Sequence, residues 1–210
     1  MNAQVNLFHD TPGSGAIALV NDAEGGIVYH PCVVPPDQAQ RWYEGLHPLL
    51  LWRSQDRPMY DRIVAVPRLT ASLWLNDPSR PALLDEAWAA VQAVAPAPYT
   101  RVGFNLYRDG QDSVAPHADR VSDLVARWPI AILSLGAPRD MLIQPKPGGA
   151  RSSPARRSQR VRLAPGSVLV MSHASQLSHL HGVPKTADSV GPRISMAFRV
   201  RRAEAANAAR

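Results

Sequence analysis

The 210-residue chain has a single cysteine, Cys32. One thiol closes no internal bridge, so a disulfide framework is excluded and a cytoplasmic setting is expected. Nowhere do the roughly 18–20 apolar residues of a membrane helix run without interruption, so no membrane partner is expected. The N-terminal residues lack the basic start and apolar run of a secretory leader. No internal repeat at solenoid spacing is present. Lysine is scarce as well: Lys146 and Lys185 are the only two among 23 basic residues, against 17 acidic ones. The net charge of +6 therefore rests on arginine. Guanidinium groups suit forked contact with carboxylate or phosphate, and a basic surface fits a polyanionic partner such as nucleic acid.

What is present suggests one domain over residues 1–210. Residues 26–30 have the pattern of a short strand. Pro35-Pro36-Asp37 has the form of a helix start, and Trp42, Tyr43 and Leu46 follow at helical spacing. A second helix is predicted from Pro81 to Val94, ended by Pro96 and Pro98. From Tyr99 onward the pattern changes to short apolar runs separated by Gly and Pro: 101–107, 129–135, 140–144, 160–163, 167–171 and 193–200. That spacing predicts an antiparallel barrel or sandwich. The breaker-rich segment 145–160 carries five positive charges and is predicted to be an exposed loop. The expected class is α+β, a jelly-roll (double-stranded β-helix) barrel backed by N-terminal helices. Residues 1–98 would form the helices and a lid, and 99–202 the catalytic core. A monomer is expected.

Seven histidines are present, and His117-Ala118-Asp119 is the informative pair. Side chains at i and i+2 project to one face of a strand. A second histidine from another strand would complete a 2-His-1-carboxylate face, which leaves positions open on iron for a co-substrate and O2. The segment 193–200 alternates. Ile194, Met196, Phe198 and Val200 share one side; Arg193, Ser195, Ala197 and Arg199 share the other. If the second side faces a barrel interior, its arginines need an anionic partner, because an unpaired buried charge is costly. A dicarboxylate would supply one; an edge strand with its arginines in water is the alternative. Asn105 and Tyr107 share another strand face and offer neutral hydrogen bonds to a small acid, or to backbone.

In order and spacing, Asn105-Leu-Tyr-Arg-Asp-Gly110, His117-Ala-Asp119, His181-Gly-Val-Pro-Lys185 and Arg193-Ile-Ser-Met-Ala-Phe-Arg199 resemble the AlkB family of iron(II)/2-oxoglutarate dioxygenases. The resemblance covers about residues 99–200. It implies His117, Asp119 and His181 as iron ligands, with His181 preferred to His179 for the Gly-Val-Pro-Lys that follows it. It implies Arg193 at the distal carboxylate of 2-oxoglutarate, Asn105, Tyr107 and Ser195 as further co-substrate contacts, and Arg199 at the iron-side carboxylate or near the substrate. Cofactors would be Fe(II), 2-oxoglutarate and O2. The implied reaction is oxidative demethylation of N-alkylated bases in DNA or RNA, as in DNA repair, releasing formaldehyde, succinate and CO2. The alternative is an oxygenase acting on a protein, lipid or small molecule. Three positions depart from the family pattern. Ser195 stands for Asn and Ala197 for Thr. Val121 stands where many repair members carry an acidic residue against the base. The lid region resembles the family only through Val66-Pro67-Arg68, and Ala71-Ser-Leu-Trp74 replaces its usual continuation. Trp74 and Met59 are weighed as base contacts against an ordinary core role.

Overall fold

The computed structural model describes residues 15–59, 62–147 and 157–202. The side chains of 55–59 and 62–65 lie outside that description, so the expectation for Met59 does too; so does the centre of the 145–160 loop.

Two helices lead the architecture. Helix α1 (Pro36–Leu46) starts with Pro36 in its first turn, where the missing N–H costs nothing. It buries Ala39, Trp42 and Leu46. Helix α2 (Ala82–Val94) buries Leu84, Ala87 and Val91. The two are stitched together by Glu86, which accepts from Trp42 Nε1 at 3.0 Å and pairs with Arg41 at 2.5 Å. The indole bond satisfies a polar group that would otherwise be lost from water.

The strands are β1 (Ile17–Val20), β2 (Ile27–His30), β3 (Arg53–Met59), β4 (Arg62–Trp74), β5 (Arg101–Tyr107), β6 (Val114–His117), β7 (Ile130–Gly136), β8 (Arg139–Pro145), β9 (Gln159–Leu163), β10 (Val168–Met171), β11 (His179–Val183) and β12 (Arg193–Arg199). Among the described residues they form an eight-stranded sheet, β1-β2-β10-β7-β12-β5-β4-β3, and a four-stranded sheet, β6-β11-β8-β9. The paired strands run antiparallel throughout.

Two apolar layers follow from strand alternation. Ile194, Met196 and Phe198 join Phe104, Leu133 and the buried faces of α1 and α2 in one core. Ala197, Tyr107, Met141, Ile143 and Val161 join the other, which takes residues from both sheets. Each large side chain buried in these layers contributes roughly 1.5–3 kcal/mol. The alternation inferred for 193–200 is therefore present: one side packs toward the helices, the other toward the small sheet. This is the jelly-roll arrangement.

Two expectations are corrected. Among the described residues, the first 98 positions hold four strands besides the helices; β2 was expected from residues 26–30, and the other three were not. In β4, Leu69, Ala71 and Leu73 alternate with Thr70 and Ser72, a strand signal that the lid assignment passed over; β4 pairs with β5 along Leu69 to Trp74. The second concerns Asp119. It lies past the end of β6, in an irregular stretch before the short turn Val121–Asp123. It shares no regular strand face with His117. No described helix is long and apolar enough to cross a membrane.

Candidate metal centre

The small sheet brings two histidines together. Strands β6 and β11 pair with His181 opposite His117, and the rings lie 4.4 Å apart between centroids. The close approach needs Gly182: a Cβ there would stand 2.9 Å from both Pro116 N and Val114 O. The glycine after His181 thus lets the two strands meet. His117 Nδ1 donates to the Ala115 carbonyl at 2.9 Å, which leaves Nε2 with its lone pair.

Asp119 completes the group. One ligand atom each from His117, Asp119 and His181 lie within 4.8 Å of one another. Two contacts hold Asp119 in place although no strand does. Its backbone N–H donates to Gln176 Oε1 at 3.0 Å, from the short helix Ser175–Ser178. Its carboxylate is gripped by Arg199 of β12 through Nε to Oδ2 and through Nη2 to Oδ1 at 3.2 Å. That is a forked pair from the opposite sheet. His179 is not part of the group; its Nδ1 meets Ser178 Oγ at 2.9 Å.

The charge states suit a metal. Burial pushes Asp119 up, but Arg199, then His181 and His117, pull it down to about 2, so it is ionised. Burial and the neighbouring His117 push His181 down to about 3, so it is neutral. A divalent ion needs an ionised carboxylate and an imidazole with a free lone pair.

On the large sheet, Ser134, Ser195, Asn105 and Thr70 occupy one rung across four strands. Asn105 Oδ1 accepts from Arg68 Nε at 2.8 Å. One rung away Arg193 pairs with Tyr107. Arg193 is fully buried, and its Nη2 donates to Ser134 Oγ at 2.9 Å. Its Nε and Nη1 have no hydrogen-bond partner among the described residues. Burial pushes its basicity down to about 10, leaving it cationic at neutral pH. Two guanidinium groups approach the Tyr107 ring, Arg193 at 5.3 Å and Arg139 at 5.7 Å from its centroid. A buried cation with two unused donors is a costly state unless an anion completes it. The donor set therefore fits a metal, and the orphaned guanidinium fits a carboxylate.

Arg139 was missed by sequence reasoning. It is buried and donates to three carbonyls, Asp109 at 2.7 Å, Asp112 at 2.9 Å and Pro184 at 2.6 Å. It ties the segment leading into β6 to the segment leaving β11, the two strands that carry the histidines. Gln176 and Ser134 were missed too. Trp74 lies under the Arg101 guanidinium, 5.0 Å from it. Val121 is half-buried in the turn after Asp119. A cleft of about 890 Å³ is lined in part by Gly103 and by Arg199, the partner of Asp119.

Comparison with known proteins agrees with this geometry. A family model described as the 2OG-Fe(II) oxygenase superfamily matches residues 68–199. The DNA oxidative demethylase ALKBH2 of Bos taurus is 33% identical over 119 residues, 56% of this chain and 42% of that protein. The alpha-ketoglutarate-dependent dioxygenase alkB homolog 3 of Homo sapiens is 39% identical over 98 residues, 45% of this chain and 34% of that protein. The chain thus matches less than half the length of these curated relatives. The solved structure of OsALKBH1 superposes with a TM-score of 0.56 at 17% identity, covering 83% of this chain and 97% of that one, a likeness of fold.

Proposed function

The chain belongs to the 2OG-Fe(II) oxygenase superfamily, and within it to the AlkB family of its curated relatives, and from that premise we propose that it is an oxidative demethylase of N-alkylated nucleobases in DNA or RNA. Its cofactors are Fe(II), 2-oxoglutarate and O2, as the superfamily implies. The relatives named for DNA demethylation support the substrate. The observation that carries the reading is the coincidence of a His-Asp-His group with a buried arginine that has two unused donors.

In this proposal His117, Asp119 and His181 hold the iron. Arg193 receives the distal carboxylate of 2-oxoglutarate on Nε and Nη1, within the layer shared with Tyr107 and Asn105. The bound group supplies oxidation of a C–H bond by one atom of O2, the other atom leaving in succinate as CO2 is lost. The substrate's N–CH3 becomes N–CH2OH. Breaking its N–C bond then releases formaldehyde and returns the base to N–H. The chain's own residues position and desolvate. Arg199 holds both oxygens of the Asp119 carboxylate, and Gln176 holds its backbone N–H. Ser134 orients Arg193. A base inside a duplex must be turned out of its stack first, at a cost of about a few kcal/mol. A cytoplasmic setting belongs to the same proposal, resting on the lone cysteine.

The test is incubation of the iron-loaded protein, with 2-oxoglutarate and O2, on methylated single- and double-stranded oligonucleotides. Formaldehyde release and a mass loss of one methylene from the strand are expected. Succinate formation without either would move the substrate outside nucleic acid.

A further inference from the structure

Unlike His117 and His181, Asp119 lies outside a strand, and its backbone N–H donates to Gln176 Oε1 at 3.0 Å. An amide side chain has two ends of similar size and opposite hydrogen-bonding sense. Oε1 therefore stays toward Asp119 only if something holds Nε2 on the other side. Here Nε2 donates to Ser175 Oγ at 3.2 Å and meets Met171 Sδ at 3.8 Å. The Ser175 hydroxyl gives its own proton to the Ser172 carbonyl at 2.7 Å, so its oxygen faces Nε2 as an acceptor. Gln176 and Ser175 are both buried. A flipped amide would set Nε2 against the Asp119 N–H, two donors face to face away from water, which is costly.

Ser175 is held in turn by the connection between β1 and β2. Its N–H donates to Ser172 Oγ at 2.9 Å, and Ser172 Oγ donates to Asp22 Oδ2 at 2.6 Å. The other oxygen of Asp22 accepts from Glu24 N at 2.8 Å and Gly26 N at 2.9 Å, which shapes the turn. Gly26 has φ +75°, and a Cβ there would stand 1.8 Å from Val20 O, so the turn needs a glycine at that point. Two further bonds pin the following segment to it. Ser172 N donates to Gly26 O at 2.8 Å, and Ala174 N donates to Glu24 Oε2 at 2.8 Å. Each side-chain step donates toward Asp22: Gln176 to Ser175, Ser175 to the Ser172 carbonyl, Ser172 to the carboxylate. A carboxylate that only accepts fixes the sense of the Ser172 hydroxyl, and the links of such a network support one another.

Resting on the assignment of Asp119 as a metal ligand, we propose that the turn between β1 and β2 positions this ligand from a distance. Asp22 acts through Ser172, Ser175 and Gln176 to fix the backbone of Asp119. The short helix that carries Gln176 runs directly into β11, which carries His181. Gln176 thus ties one ligand to the strand of another. None of these four residues belongs to the ligand group, so all are positioning residues.

The experiment titrates manganese(II) and iron(II) anaerobically into the full chain and follows amide exchange by NMR in the metal-free protein. Gln176→Met keeps the volume and removes both the acceptor and the donor. It should weaken metal binding about tenfold, at the low end of what the partners of metal ligands contribute. The Asp119 amide should lose protection while those of β5 and β12 keep theirs. Ser175→Ala and Asp22→Ala leave Gln176 in place and should each weaken metal binding severalfold. In the Gln176→Met background, Asp22→Ala should change metal affinity no further, because the route to Asp119 is already cut. Losses that add would mean that Asp22 acts independently of Gln176, and would overturn the proposal. Wild-type affinity in Gln176→Met also overturns it and leaves the ligand assignment standing. Failure of the wild-type protein to bind either metal overturns the ligand assignment and the proposal together.

Discussion

Arg199 reaches across from β12 to fork onto Asp119, a carboxylate that stands outside any strand. The candidate metal ligand with the least backbone support thus receives the strongest side-chain support. Ion pairs of this kind orient a ligand and tune its basicity, and losing one typically costs about 10–100-fold in metal affinity. Arg199→Gln is expected to weaken iron(II) or manganese(II) binding by that order, measured by anaerobic titration calorimetry. Arg199→Lys keeps the charge but not the fork, and should fall between wild type and Arg199→Gln. Unchanged affinity in Arg199→Gln would reduce Arg199 to a packing role.

Arg193 has the opposite problem: it carries a fully buried charge and too few partners. A fully buried guanidinium with Nε and Nη1 unused destabilises the ligand-free protein and favours whatever anion completes it. Wild-type protein should gain about 2.7 kcal/mol at a 2-oxoglutarate concentration of about 100 Kd. For a chain of this length that is roughly 5–10 °C in Tm. Arg193→Met should abolish the gain. It should also leave the ligand-free Tm unchanged or raised, because the substitution removes an unpaired charge and keeps the volume filled. A ligand-free Tm that drops sharply would mark Arg193 as structural instead.

His181 and Asp119 set an acid limit on the metal-free protein. His181 is held down to about 3 by burial and His117, against an ordinary value of 6.5. As pH falls below 6.5 the unfolded chain takes up a proton here that the folded chain refuses. Stability is therefore full above about pH 6.5 and declines toward pH 3. Asp119, held near 2 against an ordinary 3.8, adds a loss in the same direction below about pH 4. By pH 5 the His181 contribution amounts to about 2 kcal/mol. Urea unfolding at pH 7 and pH 5 should show that drop, and His181→Gln should remove most of it. A wild-type protein equally stable at both values would contradict the burial of a neutral His181.

The site was legible where its chemistry follows a strand period. The alternation of Arg193, Ser195, Ala197 and Arg199 exposed the inward face of β12, and the register of Asn105 and Tyr107 exposed that of β5. The His-x-Asp pair was legible as residues but not as geometry, since Asp119 leaves the strand and is held by Gln176 and Arg199, 57 and 80 positions away. No local pattern announces such partners. Strand β4 was lost for a different reason: Pro67 interrupts it, and a proline lowers any strand assignment although an edge or near-edge strand tolerates it.

Arg139 left no signal at all, because its partners are backbone carbonyls that every residue possesses. Asp109, Asp112 and Pro184 are 27 to 45 positions away and carry no side-chain code for the contact. Hydrogen bonds from a charged donor contribute about 1.5–3 kcal/mol each, and three acceptors lose theirs when the guanidinium is removed. Arg139→Met is expected to destabilise the protein by at least about 3 kcal/mol, a fall in Tm of roughly 6–12 °C. It should also loosen the segments flanking His117 and His181, so metal affinity falls together with stability. Arg139→Lys has a single ammonium that cannot span carbonyls from two segments, and should recover part of the stability at most. Hydrogen exchange separates this from a global effect. Amides of Ser113 and Thr186, which bond to Pro67 O and Gly110 O, should lose protection in Arg139→Lys before those in β5 and β12 do. Uniform loss across all strands would place Arg139 in the general core instead of at the junction of the two histidine strands.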